Sequence, residues 1–360
     1  MESRLPYCDG EPKGYLEEEE HPTVVPVSGN SSPDTVRTKS LPPRMAEAER
    51  LLEQGVEQQK LHRFEGARQS FEKALEIYAE LQNQRGVGRA LSGLALTVYG
   101  LGEFQQALVY ANKSLAIART VKDERLEAQV LGIMGNSYRH LGDPIRAIER
   151  GQKSLSLMRQ LKDKPGEVAA LNNLGLAHKA LGDLPRAIAF QEQSLQVAQS
   201  LNDRQLQEQI LKNLGNAYYA IGNYSQAIEY YEQRVALARE LGDYRLEIQI
   251  LRNLGNACYA VGDYLQAIEY GLQRLMTARK QGDRRAEEQA LGSLGTAYDA
   301  LGDYAQAIEC YEQRLRVARA IPDQRVAKQA LASLRIACYA LGDYTKVMKY
   351  YEQGLAISNG

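Results

Sequence analysis

The chain has 360 residues, 44% of them hydrophobic and 25% charged, with a formal net charge of −1 at pH 7. So balanced a charge gives no whole-molecule reason to expect nucleic acid or an anionic membrane surface as partner. No apolar run reaches the roughly eighteen residues a bilayer span needs, and no basic segment leading into an apolar stretch marks a secretory signal. Together these point to a cytoplasmic protein with no direct membrane insertion.

Residues 1–43 hold seven of the eleven prolines, the Glu17–Glu20 run and Ser28-Gly29-Asn30-Ser31-Ser32. Such a segment buries too little apolar surface to offset its chain entropy, so disorder is predicted over 1–43. It carries four basic and eight acidic residues, a net of −4, which leaves +3 on residues 44–360.

From residue 44 to 360 the sequence repeats every forty residues, in register at Leu91, Leu131, Leu171, Leu211, Leu251, Leu291 and Leu331. Leu214-Gly215-Asn216 returns as Leu254-Gly255-Asn256, and Val261-Gly262-Asp263-Tyr264 as Leu301-Gly302-Asp303-Tyr304. A period of this length marks a solenoid, whose units bury their apolar faces against neighbours around one continuous core.

Each unit reads as two helices. In the unit around Leu251, Leu246, Ile250, Leu251, Leu254 and Ala257 recur at helical spacing and define the first helix. Gly262 ends it as a left-handed residue, and Asp263 caps the second helix, with Gln266 completing a capping-box pattern. The second helix presents Ala267, Ile268, Leu272, Leu275 and Ala278, and Gly282-Asp283 repeats the stop-and-cap signal. Helices joined by such short turns lie antiparallel.

These residues resemble the tetratricopeptide repeat. In the unit from Leu211, Gly215 and Tyr218 match the family's small residue and aromatic of the first helix, and Ala227 and Tyr231 those of the second. The forty-residue length and the Leu-Gly-Asn triplet look like the extended subclass of Pins/LGN polarity adaptors, rapsyn and many bacterial, notably cyanobacterial, proteins. The resemblance implies an all-α, right-handed superhelical solenoid of antiparallel helix pairs, about eight repeats over 44–360. The end units depart from the pattern, with Gln54 and Gln58 in the first and Arg335 and Val347 in the last. Val347, Met348, Tyr351, Leu355 and Ile357 leave an apolar face on the last helix, where self-association or partner docking is expected.

Enzyme signatures are absent: no phosphate loop, no His-Glu-x-x-His and no Gly-x-Ser-x-Gly. The chain is therefore expected to be non-enzymatic, with no catalytic residues, no metal and no cofactor. The histidines His21, His62, His140 and His178 read as packed or capping side chains. Of the cysteines Cys8, Cys258, Cys310 and Cys338, Cys258 and Cys338 share a repeat position two units apart, beyond disulfide reach. Free buried thiols in a reducing compartment are expected.

In the resembled family the first helices line a concave groove. The groove positions would be Arg252, Asn256 and Tyr259 in the sixth unit, Lys212, Asn216 and Tyr219 in the fifth, and Asn136 with Arg139 in the third. Leu96 and Tyr99, Gly292, Thr296 and Asp299, and Ile336 and Tyr339 occupy it in the second, seventh and eighth. An asparagine amide offers a donor and an acceptor to a peptide backbone; Lys212 and Arg252 suit a carboxylate; tyrosines add apolar area. The match to the family's peptide clamp is partial: Lys212, Asn216 and Asn253 are present, but Gln289 and Ser293 stand where the chaperone-binding members would be basic, which argues against a chaperone tail as the ligand. The same asparagines and tyrosines have a second reading as bonding and packing within the solenoid.

Arg234, Arg274 and Arg314 recur on three second helices, either packing with Glu247 or Glu287 of the next unit or forming a phosphate- or acid-binding ridge. The expected function is a scaffold or adaptor holding an extended, acidic peptide or an assembly intermediate, without nucleic acid. The alternatives are an assembly factor for a photosynthetic-type membrane complex and a peptide-sensing receptor. Glu17–Glu20 has the charge to occupy the groove near Lys212 and Arg252 as an autoinhibitor; a solvated tail is the other reading.

Overall fold

The computed structural model describes residues 42–359. The expectations of Glu17–Glu20 in the groove, and those for Cys8 and His21, fall on residues outside that range, as does the tail expected to be disordered except at its end, where Pro43 already opens the first helix. The chain divides into two compact units between Leu181 and Gly182. The first contains α1 (Pro43–Lys60), α2 (Phe64–Glu80), α3 (Gln84–Gly100), α4 (Phe104–Thr120), α5 (Glu124–His140), α6 (Pro144–Gln160) and α7 (Lys164–Leu181). The second contains α8 (Leu184–Ser200), α9 (Arg204–Ala220), α10 (Tyr224–Leu241), α11 (Tyr244–Val261), α12 (Tyr264–Gln281), α13 (Arg284–Leu301), α14 (Tyr304–Ala320), α15 (Gln324–Leu341) and α16 (Tyr344–Asn359). The described residues are thus all-α, sixteen helices paired in sequence as about eight two-helix repeats. None is long and apolar enough to cross a membrane.

The ends of the helices follow from the turn residues. Gly262 takes φ +88° just past α11, where an L side chain would be strained, and the Asp263 carboxylate accepts from Gln266 N at 3.0 Å. Glycine does this between the helices of most pairs, but not where α2, α4, α6 and α8 end. There Gln82, Lys122, Lys162 and Asn202 adopt the same left-handed turn at φ 52–55°, a conformation that costs a side-chain residue about 1 kcal/mol or more.

Between the helices lies the leucine stripe. Leu94, Leu131, Leu171 and Leu174 are buried in the first unit, and Ile250, Leu251, Leu254, Leu291 and Leu294 in the second. Cys258, Cys310 and Cys338 are free and buried. Burial pushes the Cys258 and Cys310 thiols up to about 11, which keeps them protonated and poorly nucleophilic. In α16, Val347 and Ile357 pack onto the last cluster, while Met348, Tyr351 and Leu355 stay exposed. Arg335, which replaces the usual glycine, sets its guanidinium 5.2 Å from the Tyr351 ring centre.

Candidate functional site

The first helices do not offer the same surface in the two units. In the first unit Ser92, Leu96 and Tyr99 of α3, Asn136 of α5, and Asn172 and Leu176 of α7 are all buried. Here successive first helices touch, α1 to α3, α3 to α5 and α5 to α7. Gln59 of α1, for instance, donates to Gly93 O at 2.9 Å and Thr97 Oγ1 at 2.7 Å on α3. Asn136, expected to face a ligand, is buried at 4% exposure. Arg139 is half-buried, with Nη2 2.8 Å from His140 Nε2.

The second unit places its candidates differently. Lys212, Asn216 and Tyr219 lie half-buried along α9, and the Tyr231 hydroxyl donates to Asn216 Oδ1 at 2.8 Å. That bond is the packing role foreseen as the second reading for this asparagine. Tyr219 sets its ring edge-on against Tyr224 at 5.1 Å, and Tyr259 meets Tyr264 at 5.2 Å. On α11, Asn253 and Arg252 are half-buried, while Asn256 and Tyr259 are exposed. Burial, followed by the neighbouring Tyr264 and Asp299, raises the Tyr259 hydroxyl above its ordinary pKa, so it remains a neutral donor.

Arg252, Asn256 and Tyr259 share a recess of about 170 Å³ with Gly271 and Arg274 of α12 and Ser293 and Thr296 of α13. Its origin is a substitution in the repeat register. In the fifth and seventh units the rings of Tyr231 and Tyr311 fill the space over Gly215 and Gly295. In the sixth unit the residue in step with those tyrosines is Gly271, and a Cβ on Gly255 would find Ala267 O at 3.7 Å as its nearest neighbour. The missing ring leaves the recess open, and Asn256 stands at it rather than beneath a tyrosine.

The arginine stripe differs from its expected packing. Glu247 and Glu287 accept from Arg239 and Arg279, each at 2.7 Å. Arg234 and Arg314 instead pair with Glu208 and Glu288, 26 residues earlier on the first helix of their own unit, each at 2.7 Å. In the sixth unit that earlier place is Ile248, and Arg274 donates to Gln289 Oε1 at 2.8 Å. Among the described residues no group of three or more His, Cys, Asp or Glu is arranged to hold a metal ion.

A sequence profile described as the tetratricopeptide repeat matches residues 55–120, 126–200, 168–240, 206–280, 246–320 and 287–359. The chain belongs to the tetratricopeptide repeat family. No curated protein matches it at a meaningful level of similarity. Among solved structures, this tetratricopeptide array is similar to the apo form of RapI at a TM-score of 0.62 and 12% identity, covering 87% of this chain and 97% of that one. A signal transduction ATPase with a tetratricopeptide repeat sensor, from Pyrococcus horikoshii, gives 0.60 and 16%, covering 86% of this chain. Our chain spans about half of that protein, 47% of its length. The apo quorum sensor NprR from B. thuringiensis gives 0.55 and 15%, with 89% and 90% covered. At such identities the likeness is one of fold.

Gly271, Arg274, Ser293 and Thr296 complete the recess but were not read from the sequence as one site. The signal for them lies in aligning tetratricopeptide second helices, where Tyr231, Gly271 and Tyr311 fall in step.

Proposed function

We propose that this tetratricopeptide array is a non-enzymatic scaffold or adaptor, working in the cytoplasm. It holds an extended, acidic peptide or an assembly intermediate against the first helices of residues 182–360. The observation that supports this reading is the recess of the sixth unit, where Arg252, Asn256 and Tyr259 meet donor groups from two further helices. An exposed amide and phenol with two more deeply set guanidiniums around an unfilled hollow suit a peptide backbone with an acidic side chain. The forty-residue unit and its Leu-Gly-Asn triplet favour the extended subclass of polarity-type adaptors. Asn216 is a poor place to test the groove, since its loss also strands the Tyr231 hydroxyl. Asn256→Ala with Tyr259→Ala touches exposed side chains alone. Affinity capture from native lysate with mass spectrometry should lose the specific partner in that double variant, and unchanged capture refutes the groove reading.

A second reading, a receptor for a short signalling peptide, is favoured by the fold likeness to RapI and to the quorum sensor NprR over most of the chain. It predicts capture of a short free peptide rather than a folded protein in the same experiment. The exposed Met348, Tyr351 and Leu355 of α16 also suit a second copy of the chain; a monomer by light scattering at high concentration disproves that contact.

A further inference from the structure

We propose that the recess of the sixth unit is an oxyanion site for a phosphoryl group carried by the bound peptide, with Arg252 and Arg274 as its guanidinium donors. The proposal rests on the groove reading and names the chemistry of its anchor.

Three features of the recess carry it. First, the hollow is built in, because Gly271 stands where Tyr231 and Tyr311 fill the sister units. Second, its polar lining consists of Arg252, Asn256, Tyr259, Arg274, Ser293 and Thr296, with no carboxylate among the lining residues. Arg274 is 3% exposed and held by Gln289 Oε1, so its guanidinium is fixed at the recess rather than sweeping through solvent. Third, the donors converge from α11, α12 and α13, which suits a tetrahedral group better than a planar carboxylate, for which one guanidinium fork is enough.

The sign of the charge also suits, since a phosphoryl ester carries about −1.5 to −2 at pH 7 and both guanidiniums are positive. The Ser293 and Thr296 hydroxyls donate to Gln289 O at 3.2 Å and Gly292 O at 3.1 Å. Those bonds are longer than the usual O–H···O distance of about 2.7–2.8 Å. Both residues are exposed, so their hydroxyls can turn from their own helix to a ligand oxygen.

The test uses the full chain and three degenerate peptide pools, identical except for a fixed central phosphoserine, serine or glutamate. The phosphoserine pool should be retained about tenfold or more over both others, the discrimination a charge-assisted hydrogen-bond pair provides. Arg252→Gln should abolish that preference, and so should Gly271→Tyr, which fills the recess while leaving both arginines. Arg245→Gln, an exposed change outside the recess, should not. Inorganic phosphate should compete with the phosphoserine pool, which assigns recognition to the phosphoryl group itself. Leu294 lies 2.8 Å from a Cβ on Gly271 and must shift for the tyrosine; if that variant fails to fold, Arg252→Gln decides alone. Equal retention of the glutamate and phosphoserine pools, survival of the preference in Arg252→Gln, or retention of no pool overturns the proposal. If the serine and glutamate pools bind and are lost with Asn256→Ala and Tyr259→Ala, the groove reading stands and only the phosphoryl assignment falls. Unchanged lysate capture by that double variant overturns the groove reading instead.

Discussion

Replacing Glu208 by glutamine tests how the arginine stripe is held. Arg234 extends from α10 with its side chain 2% exposed, and its Nε donates to Glu208 Oε1 on α9 at 2.7 Å; the Glu208 side chain is 18% exposed. Glu208→Gln keeps the shape and an acceptor but removes the opposing charge, leaving a buried guanidinium with only a neutral bond. Breaking a buried pair by removing one partner costs about 3–5 kcal/mol. Glu208 reaches water, so screening brings the expectation down to about 2–3 kcal/mol. Adding Arg234→Met to Glu208→Gln removes the stranded charge and should restore most of the loss. Urea denaturation followed by circular dichroism measures both, provided the m-value is unchanged. A loss below about 1 kcal/mol in the single variant would show the pair behaving as a surface ion pair. A double variant no more stable than the single would show that the charge is not what the site needs, and either result refutes the reasoning.

Leu254→Ala removes a fully buried side chain of the second unit and should cost about 2–5 kcal/mol in the same denaturation experiment. A cost under 1 kcal/mol would mean the stripe collapses around the gap. Asp299→Asn should stabilise the protein. Burial pushes the Asp299 carboxyl above its ordinary range, although the Tyr311 hydroxyl donating at 2.7 Å opposes this, and its other oxygen is buried without a partner. A folded pKa raised above the unfolded value means stability is lost as pH rises through the folded value. The gain in melting temperature should therefore be present at pH 7–8 and vanish below about pH 4, the ordinary carboxylate value. A gain independent of pH rules out desolvation of the charge as its cause. Lys162→Gly relieves a left-handed side-chain residue at φ 55° and should add about 0.5–1 kcal/mol by thermal denaturation. A loss there would mean that unfolded-chain entropy outweighs the strain.

The scaffold was legible because it depends on residues that return. Leu251, Leu254, Gly262 and Asp263 each mark one structural role, and the same role recurs forty residues away. The turns after α2, α4, α6 and α8 were less legible, because Lys122 and Lys162 carry no mark of the left-handed conformation they adopt. The site was legible in part. Arg252, Asn256 and Tyr259 come together at the recess as their spacing on one helical face required. Asn136 did not follow, because spacing along a helix fixes which face a residue shares but not how closely the next first helix packs onto it. That approach appears only when α3, α5 and α7 are seen together.

Repeat register also separates departures that are compensated by a second change from departures that are not. Tyr230, Tyr270 and Tyr350 donate to Glu192, Glu232 and Glu312, each 38 residues earlier. Where the glutamate becomes Leu272, the matching tyrosine becomes Cys310, and no polar group of that pair is left unmet. Two changes in step keep the packing consistent, as expected of a scaffold position. The loss of the tyrosine at Gly271 has no such match. Gly255 remains a glycine, as it must beneath a ring, although no ring covers it. Arg274 remains an arginine, although the glutamate that faces its sisters is Ile248 here. A departure that is compensated maintains the fold, whereas this one leaves a hollow lined with donor groups, which is why the proposed groove is best tested in the sixth unit.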